Sequence, residues 1–124
     1  MRMHTSHRRQ YERREINLRV LLWITESHQA QVSPIAGMMI PARMTNVSMG
    51  GAHVVVSTYL PRATQIELEV PAGGQFPAGR LRACVMKVEM TDREPHYGLG
   101  LKFEEEDHPL IQAFRELDAV EEKS

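Results

Sequence analysis

The sequence predicts a mainly β fold, a barrel or sandwich of about six strands with one helix at the C-terminus. Three observations lead there. Apolar and polar residues alternate along most of the chain, Gly- and Pro-containing stretches interrupt the alternation at short intervals, and the apolar residues switch to helical spacing only near the end.

The first strand is expected in "EINLRVLLWIT", where Ile16, Leu18, Val20, Leu22 and Ile24 fall on one side of a period-two pattern. The polar stretch "ESHQAQVSP" breaks it, and "MMIPARMT" resumes it with Pro41 inside, which argues for an edge or a bulge. "NVSMGG" reads as a tight, exposed turn whose two glycines permit positive φ, and it leads into the strand "AHVVV". After the turn "YLPRAT" comes "QIELEV", with Ile66, Leu68 and Val70 in alternation. A Gly/Pro loop, "PAGGQFPAG", separates it from the strand "RLRACVMKVEM"; "TDREP" is the last hairpin-like turn. "HYGLGLKF" then puts Tyr97, Leu99, Leu101 and Phe103 on one face. Trp23 and Tyr59 are each candidates for the core. Behind "EEEDHP", Leu110, Ile111, Phe114 and Leu117 repeat at helical spacing, with acids and a proline at the start. Such a stripe suits a helix over residues 108–118 that caps an open end of the barrel, because an acidic outer face would be repelled by anionic headgroups.

With 124 residues, one core is expected, large enough to need no disulfide or structural metal. The lone Cys84 agrees: it has no partner and no CxxC pair, so it reads as a small buried apolar residue in a reducing compartment. "VLLWI" is too short to span a bilayer, and no signal-peptide core follows the basic start, so a cytoplasmic protein without membrane insertion is expected.

The net charge of −1 conceals a polarity. Arg2, Arg8, Arg9, Arg13 and Arg14 stand against Glu12 alone in the first fourteen residues, while residues 104–124 hold eight acids and two bases. Arg9 and Arg13 are four apart and so share one side of the chain whether it is extended or helical, and Arg8 adds a third guanidinium. Arginine forks bind phosphate oxygens or the O6/N7 edge of guanine bidentately, and their planes stack on bases. Lysine supplies only a point charge.

"RRQYER" resembles the RxxxR motif of PilZ domains, and "NVSMGG" resembles their [DN]xSxxG motif. Both occur in the family's order, the first just before strand one and the second after a second extended segment, and "REINLRV" has the look of the family's first strand. The resemblance covers residues 8–118, leaving 1–7 as a flexible N-terminal arm and 119–124 as an acidic tail. It implies a PilZ-like split barrel, six antiparallel strands with a C-terminal helix, that binds the bacterial second messenger cyclic di-GMP without catalysis or a further cofactor. It matches Arg9 and Arg13 to the arginines that grip guanine and phosphate, and Asn46, Ser48 and Gly51 to the turn motif. Arg8 occupies the variable preceding position, where arginine favours an intercalated dimer of the ligand. Asn46 departs from the commoner Asp, keeping an acceptor but losing a charge. In physical terms the Asn46 amide can bond a guanine edge, Ser48 a guanine or phosphate, and Gly51 lets the backbone come close.

Other chemistry is sparse. His4 and His7 lack neighbouring ligands, the remaining histidines are scattered, and no GxSxG, HExxH or Walker loop is present, so neither a metal site nor an enzyme is expected. Two alternatives stay open: a PilZ-like adaptor that needs no ligand, and a small barrel binding single-stranded nucleic acid. The second would need aromatic platforms, yet Tyr11 is the one aromatic among the arginines and the net charge is slightly negative, so nucleic acid is not the expected partner. A stand-alone domain of this kind implies an unidentified downstream protein, for which the acidic C-terminal stretch and Met49 are candidate contacts.

Overall fold

The computed structural model describes residues 14–26, 38–91 and 96–123. Six strands run β1 Arg14–Glu26, β2 Met39–Val47, β3 Gly51–Val56, β4 Gln65–Val70, β5 Gly79–Met90 and β6 Tyr97–Phe103, followed by helix α1 Pro109–Lys123. They close into one barrel in the order β1-β2-β3-β6-β5-β4, every neighbouring pair antiparallel. The six-stranded barrel with a terminal helix is therefore as the sequence predicts, and closure of the ladder leaves no long free edge.

Alternation places the core. Val20, Leu22 and Ile24 of β1, Ile66, Leu68 and Val70 of β4, and Leu99, Leu101 and Phe103 of β6 all point inward and are buried. Cys84 is buried with them, and burial raises its thiol pKa, as expected of a packed residue rather than a nucleophile. The two aromatic candidates differ from expectation. Trp23 lies on the outward side of β1, half-buried, where its Nε1–H donates to Glu69 at 2.6 Å and the Arg80 guanidinium covers its ring at 4.3 Å. Tyr59 is 53% exposed, its ring edge-on to Tyr97.

Pro41 sits in β2 although the barrel is closed. The Ile24 amide bonds the Met38 carbonyl at 3.0 Å, so by alternation position 41 turns its nitrogen away from β1, and on that other side β3 pairs with β2 only from Arg43 onward. The missing N–H falls where no ladder partner stands, which is how a proline is tolerated inside a strand.

The helix closes one end of the barrel through Leu110, Ile111 and Phe114, with Phe114 edge-on to Phe76 and stacked on Phe103. The side chain of Leu117 lies outside the described residues. Its start differs from the expected acidic first turn, because residues 104–107 precede it and its first turn holds no acid. His108 is the cap: Nδ1 accepts from the Leu110 amide at 3.0 Å while Nε2–H donates to the Arg80 carbonyl, so one tautomer satisfies both, and Pro109 follows at the position that needs no N–H. Of the acids before it, Glu105 accepts from the Arg82 amide at 2.9 Å, a bond that holds its carboxyl below the ordinary range. The helix also runs to Lys123, so the segment expected as a tail from 119 continues it. Strong helix formers in "ELDAVEEK" account for the extension. No helix among the described residues is long and apolar enough to cross a membrane.

Candidate functional site

The sequence-predicted residues divide into two groups. Asn46, Ser48 and Gly51 are described and come together at the β2–β3 turn. Arg8, Arg9 and Arg13, together with the expected arm 1–7, lie outside the described residues. β1 begins at Arg14 directly opposite Val47, with Glu15 opposite Asn46, so the first described residue adjoins the turn.

A bulge sets the aim of Asn46. The β2–β3 register slips between Met44 and Asn46, so Thr45 is an extra residue of β2 against β3, whereas in the β1–β2 ladder the extra residue is in β1, where Ile16 and Asn17 stand against Thr45. Thr45 and Asn46 are consequently both half-exposed between the buried Met44 and Val47, where strict alternation would have sent one of them inward. The Asn46 Oδ1 atom is buried and has no hydrogen-bond partner among the described residues. An acceptor left in that condition costs about 1–3 kcal/mol, which a donor arriving from outside would recover.

The turn itself is rigidly tied. The Ser48 amide bonds the Gly51 carbonyl at 2.9 Å, the Ser48 hydroxyl accepts from the Gly50 amide at 3.2 Å, and the Phe103 amide bonds the Gly50 carbonyl at 3.0 Å. Ser48 is buried, so its hydroxyl shapes the turn first and has one remaining lone pair to offer. The glycine explanation also changes. Gly73, in the β4–β5 loop, is the one described glycine with positive φ, whereas Gly51 is required by close approach, since a Cβ there would lie 2.1 Å from the Leu101 carbonyl oxygen. Met49 is not a free contact surface: it packs against the core, and its sulfur accepts from the Arg115 side chain of α1 at 3.1 Å.

Sequence reasoning missed His53. It pairs with Asn46 across the strands, its Nδ1 is 2.8 Å from the Thr45 hydroxyl, and its ring lies over Gly98, where a Cβ would come within 2.8 Å of Nε2. The available signal was its spacing: two residues beyond Gly51 in a strand is the same face. Beyond Gly98, on β5, Glu89 is held below the ordinary carboxylate range, first by its hydrogen bond to Lys87. Beside the turn stand an amide oxygen that is buried and without a partner among the described residues, an imidazole, and glycine backbone at Gly51 and Gly98, next to the start of β1 at Arg14.

The sequence profile of the PilZ domain matches residues 7–117. No curated protein matches the chain. Among solved structures, Bacillus subtilis Inhibitor of motility (MotI/DgrA) is similar at a TM-score of 0.66 and 18% identity, over 92% of this chain and 51% of that one. YcgR from Escherichia coli in complex with c-di-GMP is similar at 0.63 and 15% identity, over 94% and 46%. The separate structure of the PilZ domain of YcgR with c-di-GMP gives 0.58 and 15% identity, over 94% and 97%. The chain therefore spans about half the length of the first two relatives, and at these identities the likeness is one of fold.

Proposed function

We propose a receptor function that proceeds from one fact, that this chain belongs to the PilZ domain family. In this reading the protein is a cytoplasmic bacterial receptor that binds cyclic di-GMP and passes its ligand state to a partner protein, with no reaction and no further cofactor. The solved relatives that carry c-di-GMP support the ligand class. The observation that carries the reading in this chain is the buried Oδ1 of Asn46, without a partner among the described residues, at a turn opposite which β1 begins at Arg14.

Each residue then has a task. Asn46 accepts from the N–H edge of one guanine, and Gly51 keeps the turn low against β6 so that a base can approach. Ser48 holds the turn and offers its spare lone pair to a ligand donor. Arg9 and Arg13 form bidentate bonds with phosphate and with guanine O6/N7, and Arg8 provides the charge that a second, intercalated ligand molecule would require. Each residue of the segment 8–13 that the ligand fixes takes about 1–2 kcal/mol of the binding energy. The resulting change is one of surface shape, with the barrel core unaltered.

The test is calorimetric titration with cyclic di-GMP, cyclic di-AMP and a single-stranded oligonucleotide. Cyclic di-GMP should bind more tightly than cyclic di-AMP, because adenine places a donor where guanine offers O6 to the arginine forks. Equal affinity for the two dinucleotides, or preference for the oligonucleotide, contradicts the reading.

A further inference from the structure

The outer face of β1 and β2 carries a feature that the ligand site does not use. Arg19 and Arg43 are directly opposite each other on adjacent strands, both exposed. Arg43 bonds the Asn17 side-chain oxygen at 3.1 Å, but neither guanidinium has a carboxylate partner among the described residues. Two like charges in direct opposition are destabilising, so an anion placed between them would be favoured. Beside them, where β3 parts from β2 beyond the Arg43–Val55 pair, lies an open cleft of about 580 Å³ lined by Pro41, Val55, Ser57 and His96 as well as both arginines. No carboxylate lines it among the described residues. Tyr97, the residue after His96, continues the rim with Tyr59 edge-on to it and the largely exposed Met90 opposite it on β5.

We propose that this cleft is the docking site for an extended acidic segment of the partner protein, an assignment that rests on the adaptor reading above. Charge complementarity selects the occupant: two guanidiniums with no acid beside them among the described residues attract carboxylates. The space is far larger than a single inorganic anion needs and is open along the strands. Side chains at i and i+2 of an extended chain are about 6.5–7 Å apart on one face, within reach of forks on neighbouring strands that lie about 5 Å apart. Apolar residues flanking the acids would cover Pro41, Val55 and the Tyr59–Tyr97 rim, and Met90 supplies an adaptable contact. The cleft takes Pro41, Ala42 and Arg43 from β2 and does not include Asn46, three residues further on, so ligand and partner have separate contacts.

The test is fluorescence anisotropy on the full chain with a labelled octapeptide alternating glutamate and valine, beside one alternating lysine and valine. The acidic peptide should bind and the basic one should not. Arg19→Glu with Arg43→Glu should weaken binding at least ~tenfold, with Arg19→Gln and Arg43→Gln as the milder pair should the reversal impair folding. A variant with Arg8, Arg9 and Arg13 all replaced by Ala should keep its peptide affinity within about threefold, since the proposal assigns the acidic peptide to Arg19 and Arg43. Equal binding of both peptides, an unchanged affinity in the Arg19/Arg43 variants, or loss of binding in the N-terminal variant would each overturn the proposal. Cyclic di-GMP titrated into the same Arg19/Arg43 variant should bind as in the wild type, so a failure of the receptor reading is seen separately from a failure of the docking site.

Discussion

Gly51→Ala should destabilise the protein by about 3 kcal/mol, at the upper end of the range for overpacking. The new methyl would lie 2.1 Å from the Leu101 carbonyl oxygen, 3.3 Å from its carbon and 3.5 Å from the Lys102 Cα, all backbone of β6. No rotamer change relieves such a clash, so β3 and β6 must separate where Gly51 pairs with Lys102, and the Phe103–Gly50 hydrogen bond beside it is strained too. Gly100→Ala is the matched control on the same sheet face, because its Cβ meets the Lys87 Cβ at 3.3 Å, a contact that a shift of a few tenths of an ångström relieves. That change should stay within about 1 kcal/mol of wild type, with reduced unfolded-state entropy offsetting the contact. Urea unfolding of both variants reads the difference directly. Equal midpoints would mean that the motif glycine is not needed for close approach and that its place in the turn has another cause.

The second large effect is on binding. Arg13→Ala should weaken cyclic di-GMP binding by roughly ten- to a hundredfold, because each charge-assisted hydrogen bond lost is worth about 1.5–3 kcal/mol. Arg14→Ala removes the same charge one residue later, at the position where the backbone has already joined β1 opposite Val47, and should cost much less. The pair isolates position from charge, since long-range attraction to two phosphates would fall equally in both. Matching losses in a calorimetric titration would leave only bulk charge and remove the role assigned to the motif.

What the sequence made legible, and what it did not, follows from the range of the interactions. Period-two alternation reports burial locally, so Val20, Leu22 and Ile24, or Ile66, Leu68 and Val70, declare both their strand and their inner face without reference to a partner. Phe114 declares the helix stripe in the same way. The turn residues were legible as a pattern but not as a mechanism, because whether a glycine serves φ or proximity depends on what lies across the sheet, here Leu101, fifty residues away. The orphaned oxygen of Asn46 is a similar case. It depends on a bulge at Thr45, whose trace in the sequence is the three-residue step from the buried Met44 to the buried Val47 inside an otherwise alternating strand. His53 was hidden by being read as one of several scattered histidines rather than as the outward neighbour of Gly51. Tyr59 and Trp23 were misplaced because an aromatic ring can be sheltered by one partner, Tyr97 or Arg80, without entering the core.

The central claim is that cyclic di-GMP is held between the arginine segment and the β2–β3 turn, and amide hydrogen exchange with and without ligand tests it most directly. Five like charges and few apolar residues in the first fourteen positions predict fast exchange before β1, over residues 1–13, in the free protein. Saturating cyclic di-GMP should then protect residues 8–13 and the turn over 46–51 together, leaving the exchange of β4 and β5 unchanged. Protection of residues 8–13 before ligand is added, or ligand-dependent protection confined to other strands, would contradict the account and place the binding site elsewhere on the barrel.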